Sequence, residues 1–120
     1  MKTIRSIGYA WFGIRHAFAT QRNLKIHTAL AVFAIMLGIA LRISSLEWLL
    51  VSISIGAVIF AELINTALEK LADVVEPNQH PEIKLVKDIA AGAVLILAII
   101  CAVIGAIIFV PKIINLIQSI

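Results

Sequence analysis

Three apolar runs, Leu24 to Leu41, Trp48 to Leu68 and Ile89 to Val110, leave a chain of 120 residues few ways to fold. Each approaches the roughly 20 residues that an α-helix needs to cross a hydrocarbon core of about 30 Å. Lipid offers no partner to a backbone N–H or C=O, so a segment at that depth must satisfy its own hydrogen bonds, which a helix does. With 62% hydrophobic and 14% charged residues, the chain is far from the roughly 45–50% apolar and 25% charged of a soluble domain. The composition predicts an all-α membrane protein, one membrane-integral domain over 1–120 with spans at about 24–43, 48–70 and 85–110.

The residues outside the runs orient it. Lys2, Arg5, Arg15, Arg22 and Lys25 come before or at the start of the first run, and the loop after it holds only Arg42. The positive-inside rule therefore places the N-terminus in the cytoplasm. Three crossings then put Lys70, Lys84 and Lys87 on that side and leave Lys112 outside, so both counts agree. The predicted location is the cell (inner or plasma) membrane, as a multi-pass protein. No cleavable leader fits, because about two dozen residues studded with Arg and Lys come first and no small-residue cleavage site follows. The net charge of +3 belongs to residues flanking spans, which attract anionic lipid head groups and call for no nucleic-acid partner. Before the first span, Ile4, Ile7, Trp11, Ile14 and Phe18 recur every three or four residues. That spacing predicts an amphipathic interfacial helix over about 4–21. Residues 20–23 break the pattern, Ser45 is placed to cap the second span, and Glu82 to Val110 reads as one element opened by Pro81. The lone Cys101 forms no disulfide and reads as a packing residue.

Within the second run stand Glu62, Asn65 and Glu69, with Asp73 beyond. Steps of three and four residues stack all four along one stripe of a helix. Ionisable groups inside a membrane span are expensive and mark function. A line of oxygen ligands suits a hard divalent cation such as Mg²⁺. Counted from Trp48 at about 1.5 Å per residue, Glu62 lies roughly 20 Å along the span, just under the cytoplasmic surface. Lys87 and Asp88, at the entry of the third span, add a cation able to hold phosphate and a carboxylate to orient it. His80 sits in the turn between the second and third spans, a nucleotide or metal contact if it is not merely structural. Glu69 and Asp73 taken singly are equally compatible with a solvated helix end paired with Lys70 or Lys87, and His16 and His27 read as structural. No Gly-rich phosphate loop or Cys/His zinc spacing appears, so a nucleotide site here would be unlike the soluble ones.

The string from Glu62 to Glu69, followed by Asp73, His80-Pro81 and Lys87 to Val94, resembles the signature of the prokaryotic diacylglycerol kinase family. Arg22 to His27 and Ile107 to Lys112 are similar to its undecaprenol kinase branch. The resemblance implies a homotrimer of three-span subunits that transfers the γ-phosphoryl of MgATP to a membrane lipid alcohol at the cytoplasmic interface. It implies undecaprenol as acceptor, with diacylglycerol the alternative. By position it makes Glu62 the general base and Glu69 a Mg²⁺ ligand, with Asn65, Lys87, Asp88 and His80 at the ATP site. Gln21 stands where the family pattern generally has a Glu that shares metal binding next to the nucleotide. An amide ligates through its oxygen but brings no charge. Two readings of another class stay open at this point: a catalytically inactive scaffold, favoured by Gln21, and a small channel or transporter subunit, which would use the same oxygens as an ion path.

Overall fold

A computed structural model describes residues 1–120 as four α-helices: α1 (Lys2–Thr20), α2 (Arg22–Leu41), α3 (Ser45–Val75) and α4 (Pro81–Gln118). The last three are long and apolar enough to cross a membrane. At about 1.5 Å per residue the 38 residues of α4 measure roughly 57 Å, nearly twice the hydrocarbon thickness. This helix sets the longest dimension of the molecule, 58 Å.

Local chemistry decides where each helix stops. Between α1 and α2 the break is Gln21 alone, in an extended conformation with φ −99° and ψ 118°, a sharper joint than the expected four-residue interruption. α2 ends on Arg42 in the left-handed region, φ 53°. The Arg42 N–H donates to Ile39 O and the Ile43 N–H to Gly38 O, which absorbs the last free carbonyls of the helix. The cap of α3 is Ser44, not Ser45. Ser44 Oγ accepts from the Glu47 N–H at 3.2 Å, and Glu47 Oε1 accepts from the Ser44 N–H at 2.9 Å. That reciprocal box requires Ser and Glu three apart, and only Ser44 has the right spacing. α4 opens on Pro81, behind a His80 cap.

α4 also continues past Pro111 to Gln118, beyond the Val110 end expected from the sequence. Pro111 removes one backbone donor, a loss that apolar spans accommodate. The extra turns are held from outside the helix: Lys112 Nζ lies 3.1 Å from Glu47 Oε1, and Ile113 packs on the core cluster.

α3 and α4 pack along each other most extensively, α2 flanks α3, and α1 touches its neighbours least. The core gathers at the α2–α3 turn around Ile43, Val51, Ile108 and Phe109. Only 13 of 120 residues are buried, far fewer than a water-soluble chain of this length needs, so most of the apolar surface is left for hydrocarbon. Phe33, Met36, Ile53, Phe60 and Ile96 are among the large side chains that face outward. Cys101 packs between helices, its thiol 3.5 Å from Ser54 O.

The tightest approach is at Gly38, where an added Cβ would stand 2.8 Å from the Trp48 ring and 3.0 Å from Ile43 Cδ1. Gly38→Val is expected to lower stability by about 1–3 kcal/mol through overpacking, outweighing a helix-propensity gain of about 0.5 kcal/mol. Thermal unfolding in detergent micelles measures it. Gly8→Val, at a position with nothing within 4 Å, should leave the midpoint in place.

Candidate active site

The polar stripe of α3 is graded along the helix. Glu62 and Asn65 are buried, at 3% and 8% exposure, Glu69 is half-buried and Asp73 exposed. The acidic oxygens therefore point inward among the helices at one end and emerge into solvent at the other. All four are engaged by a side chain of the same helix or a neighbour. His27 of α2 brings Nε2 to 3.2 Å from Glu62 Oε1. Asn65 Nδ2 donates to Glu69 Oε1 at 3.1 Å, the contact that a four-residue step provides. Lys87 of α4 pairs with Asp73. Thr66, also buried, donates back to the Glu62 carbonyl at 2.8 Å and adds nothing to the stripe.

Two spaces adjoin it. A cleft of about 340 Å³ opens between α2, α3 and α4, lined almost wholly by apolar side chains such as Ala34, Val58, Ala102 and Phe109, with His27 as a polar member. A polar basin of about 630 Å³ lies at the α3–α4 turn, with Asp73, Asn78, His80, Lys84 and Lys87 in its wall. A site that holds apolar lining on one side of a carboxylate and cationic, solvated lining on the other can receive two substrates of opposite solubility.

The other residues singled out from the sequence are placed less uniformly. Lys87 and His80 both line the basin, where His80 Nδ1 accepts the Glu82 N–H at 3.1 Å. Asp88 is exposed and engages Lys84 at 2.7 Å, one turn back on its own helix, so it is not drawn to the stripe. Gln21 is half-buried at the α1–α2 joint. The reading of Asp73 as a solvated helix end paired with lysine holds; for Glu69 the partner is Asn65 and not Lys70 or Lys87.

The donors of the stripe are oxygens of the kind that a hard cation takes. Asn65 Oδ1 is buried without a hydrogen-bond partner, one helical turn from the Glu69 carboxylate. No three His, Cys, Asp or Glu side chains converge. Mg²⁺ takes one or two carboxylates and completes its shell with substrate phosphates and water, so one carboxylate with an unpaired amide oxygen near it is compatible with that cation, whereas a structural zinc would need a closed set.

His27 is the residue that sequence reading undervalued. It lies 35 positions from Glu62 on another helix, so no spacing rule links the two. The available signal was that both are polar residues in apolar runs that a short turn makes antiparallel.

The family model for prokaryotic diacylglycerol kinase matches residues 8–109. The chain belongs to the prokaryotic diacylglycerol kinase family. Within it, the chain is 38% identical to an undecaprenol kinase of Bacillus subtilis over 108 residues, 90% of this chain and 88% of that one. It is 38% identical to a diacylglycerol kinase of Synechocystis over 112 residues, but spans only 64% of that protein's length. A diacylglycerol kinase of Escherichia coli is 29% identical over 86% of this chain. Family membership makes this a lipid kinase.

Proposed function

We propose that the protein phosphorylates undecaprenol at the cytoplasmic face of the cell membrane, with MgATP as donor. The observation that carries this reading is the burial of Glu62 between an apolar cleft and a stripe that leads to a polar basin. In this scheme the acceptor's hydrocarbon lies among the helices with its hydroxyl at Glu62. The hydroxyl oxygen attacks the γ-phosphorus, the bond from that phosphorus to the β,γ-bridging oxygen breaks, and Glu62 takes the hydroxyl proton as ADP departs. Glu69 and Asn65, with Gln21 contributing its amide oxygen, would hold Mg²⁺, which when bound offsets the charge on the donor phosphates. Lys87 supplies a point charge toward the phosphates, and His80 and Asp88 border the nucleotide from the turn and the start of α4. Phosphoryl transfer needs chiefly position and charge neutralisation, which this arrangement supplies.

The choice of undecaprenol is supported by the likeness to the Bacillus subtilis enzyme across nearly the full length of both chains. Diacylglycerol is the second reading, favoured by the equal identity to the Synechocystis protein. The cytoplasmic N-terminus is supported by the Lys and Arg distribution. An interfacial position of α1 is supported by Tyr9, Trp11 and Phe12, all well exposed and suited to head groups. A homotrimer is supported by how little of each span one subunit covers.

The deciding assay supplies radiolabelled ATP and Mg²⁺ to the protein in lipid bilayers with undecaprenol and diacylglycerol side by side. Label is expected mainly in undecaprenyl phosphate. Label mainly in phosphatidic acid would transfer the assignment to the second acceptor, and label in neither would overturn the proposal.

A further inference from the structure

The Glu62 carboxylate is almost fully enclosed, its side chain 4% exposed, and His27 is the one side chain within polar reach of it. Neither Asn65 nor Thr66 supplies a second partner: Asn65 turns to Glu69, and the Thr66 hydroxyl serves the backbone. A buried carboxylate with two free oxygens has no preferred rotation about its terminal bond, because that torsion is broad and roughly two-fold. One donor on one oxygen removes the freedom. An ionised carboxylate only accepts hydrogen bonds, so the imidazole must carry its proton on Nε2 toward Oε1. The same His27 ring lines the apolar cleft, which puts it at the point where a chain held among the helices meets the carboxylate.

We infer that His27 is a positioning residue for phosphoryl transfer: its Nε2–H holds Glu62 Oε1 and turns the remaining oxygen toward the acceptor hydroxyl at the mouth of the cleft. The inference rests on the reading of Glu62 as general base and adds the group that aims it. A displacement of a reacting group by about 1 Å can cost on the order of 10²-fold in rate, so the loss on removing the donor is of that order and falls on the chemical step.

The test uses the full-length protein in lipid bilayers and compares His27→Leu, His27→Gln and His27→Asn by kcat, KM for MgATP and thermal midpoint. His27→Leu is expected to lower kcat about 10²-fold with KM for MgATP within twofold. His27→Gln is expected to restore kcat to within about tenfold, because its amide N–H reaches nearly where Nε2 stands. His27→Asn, one methylene shorter, should behave like His27→Leu. If His27→Leu does not fold, the Gln-against-Asn contrast alone decides. Equal kcat in those two variants, or a His27→Leu protein with kcat within twofold of the parent, would overturn the positioning role. Failure of the underlying reading has a different signature: full activity in Glu62→Gln, or no lipid phosphorylation by the parent protein at all.

Discussion

Glu62→Gln is expected to reduce lipid phosphorylation by about 10²–10⁴-fold, the usual contribution of a positioned general base, while nucleotide binding is unchanged. At 1.36 kcal/mol per decade that is roughly 3–5 kcal/mol of transition-state stabilisation. The substitution is close to isosteric, and the Gln carbonyl oxygen can still accept from His27 Nε2, which stands 3.2 Å away in the parent. What disappears is the basicity. Glu62 is also well separated from the polar basin, since Glu69 and Asp73 lie about two and about three helical turns further along α3, so the donor nucleotide should not register the change. Rates from the radiolabel assay, together with equilibrium dialysis of ATP, separate the two quantities. A variant that turns over within tenfold of the parent would exclude Glu62 as the base, and one that loses ATP binding in parallel would move Glu62 into the nucleotide site.

Glu69→Gln should act on the other substrate. Removing its charge is expected to raise the Mg²⁺ concentration needed for half-maximal rate at least tenfold and to lower kcat/KM for MgATP by about 10²–10³-fold. The scale is that of one charge pair at about 4 Å in an effective dielectric near 20, roughly 4 kcal/mol. The hydrogen bond from Asn65 Nδ2, 3.1 Å in the parent, can pass to the Gln oxygen, so helix α3 is not disturbed and thermal stability should be retained. A Mg²⁺ titration coincident with that of the parent would remove Glu69 from the metal site.

These expectations depend on features of unequal visibility in the sequence. The stripe of Glu62, Asn65, Glu69 and Asp73 was legible because helical periodicity is a local rule: residues three and four apart share a face whatever surrounds them. The polar basin was partly legible, since Pro77 and Pro81 mark the turn and antiparallel spans return Lys87 to the level of Asp73. The pairing of Asp88 was not. Lys84 and Lys87 are both near it in sequence, and only the packing of α4 against α3 sends Lys87 across to Asp73 and leaves Asp88 to Lys84. The cap at Ser44 was available from the Ser-x-x-Glu spacing, which marks Ser44 and not its neighbour.

Hydropathy and charge placement were enough to determine the number of apolar helices and the face that carries the acidic oxygens. Each follows from the solvation of single residues and from a fixed helical pitch. The tertiary structure alone decided that His27 meets Glu62, that a cleft opens beside them, and that α4 persists through Pro111 because Lys112 reaches Glu47. In water a helix announces its inner face by hydrophobicity. In hydrocarbon, lipid tails are as apolar as leucine, so which side of each span turns toward a neighbour is settled by shape and by a few polar contacts between helices, and those exist only once the helices have come together.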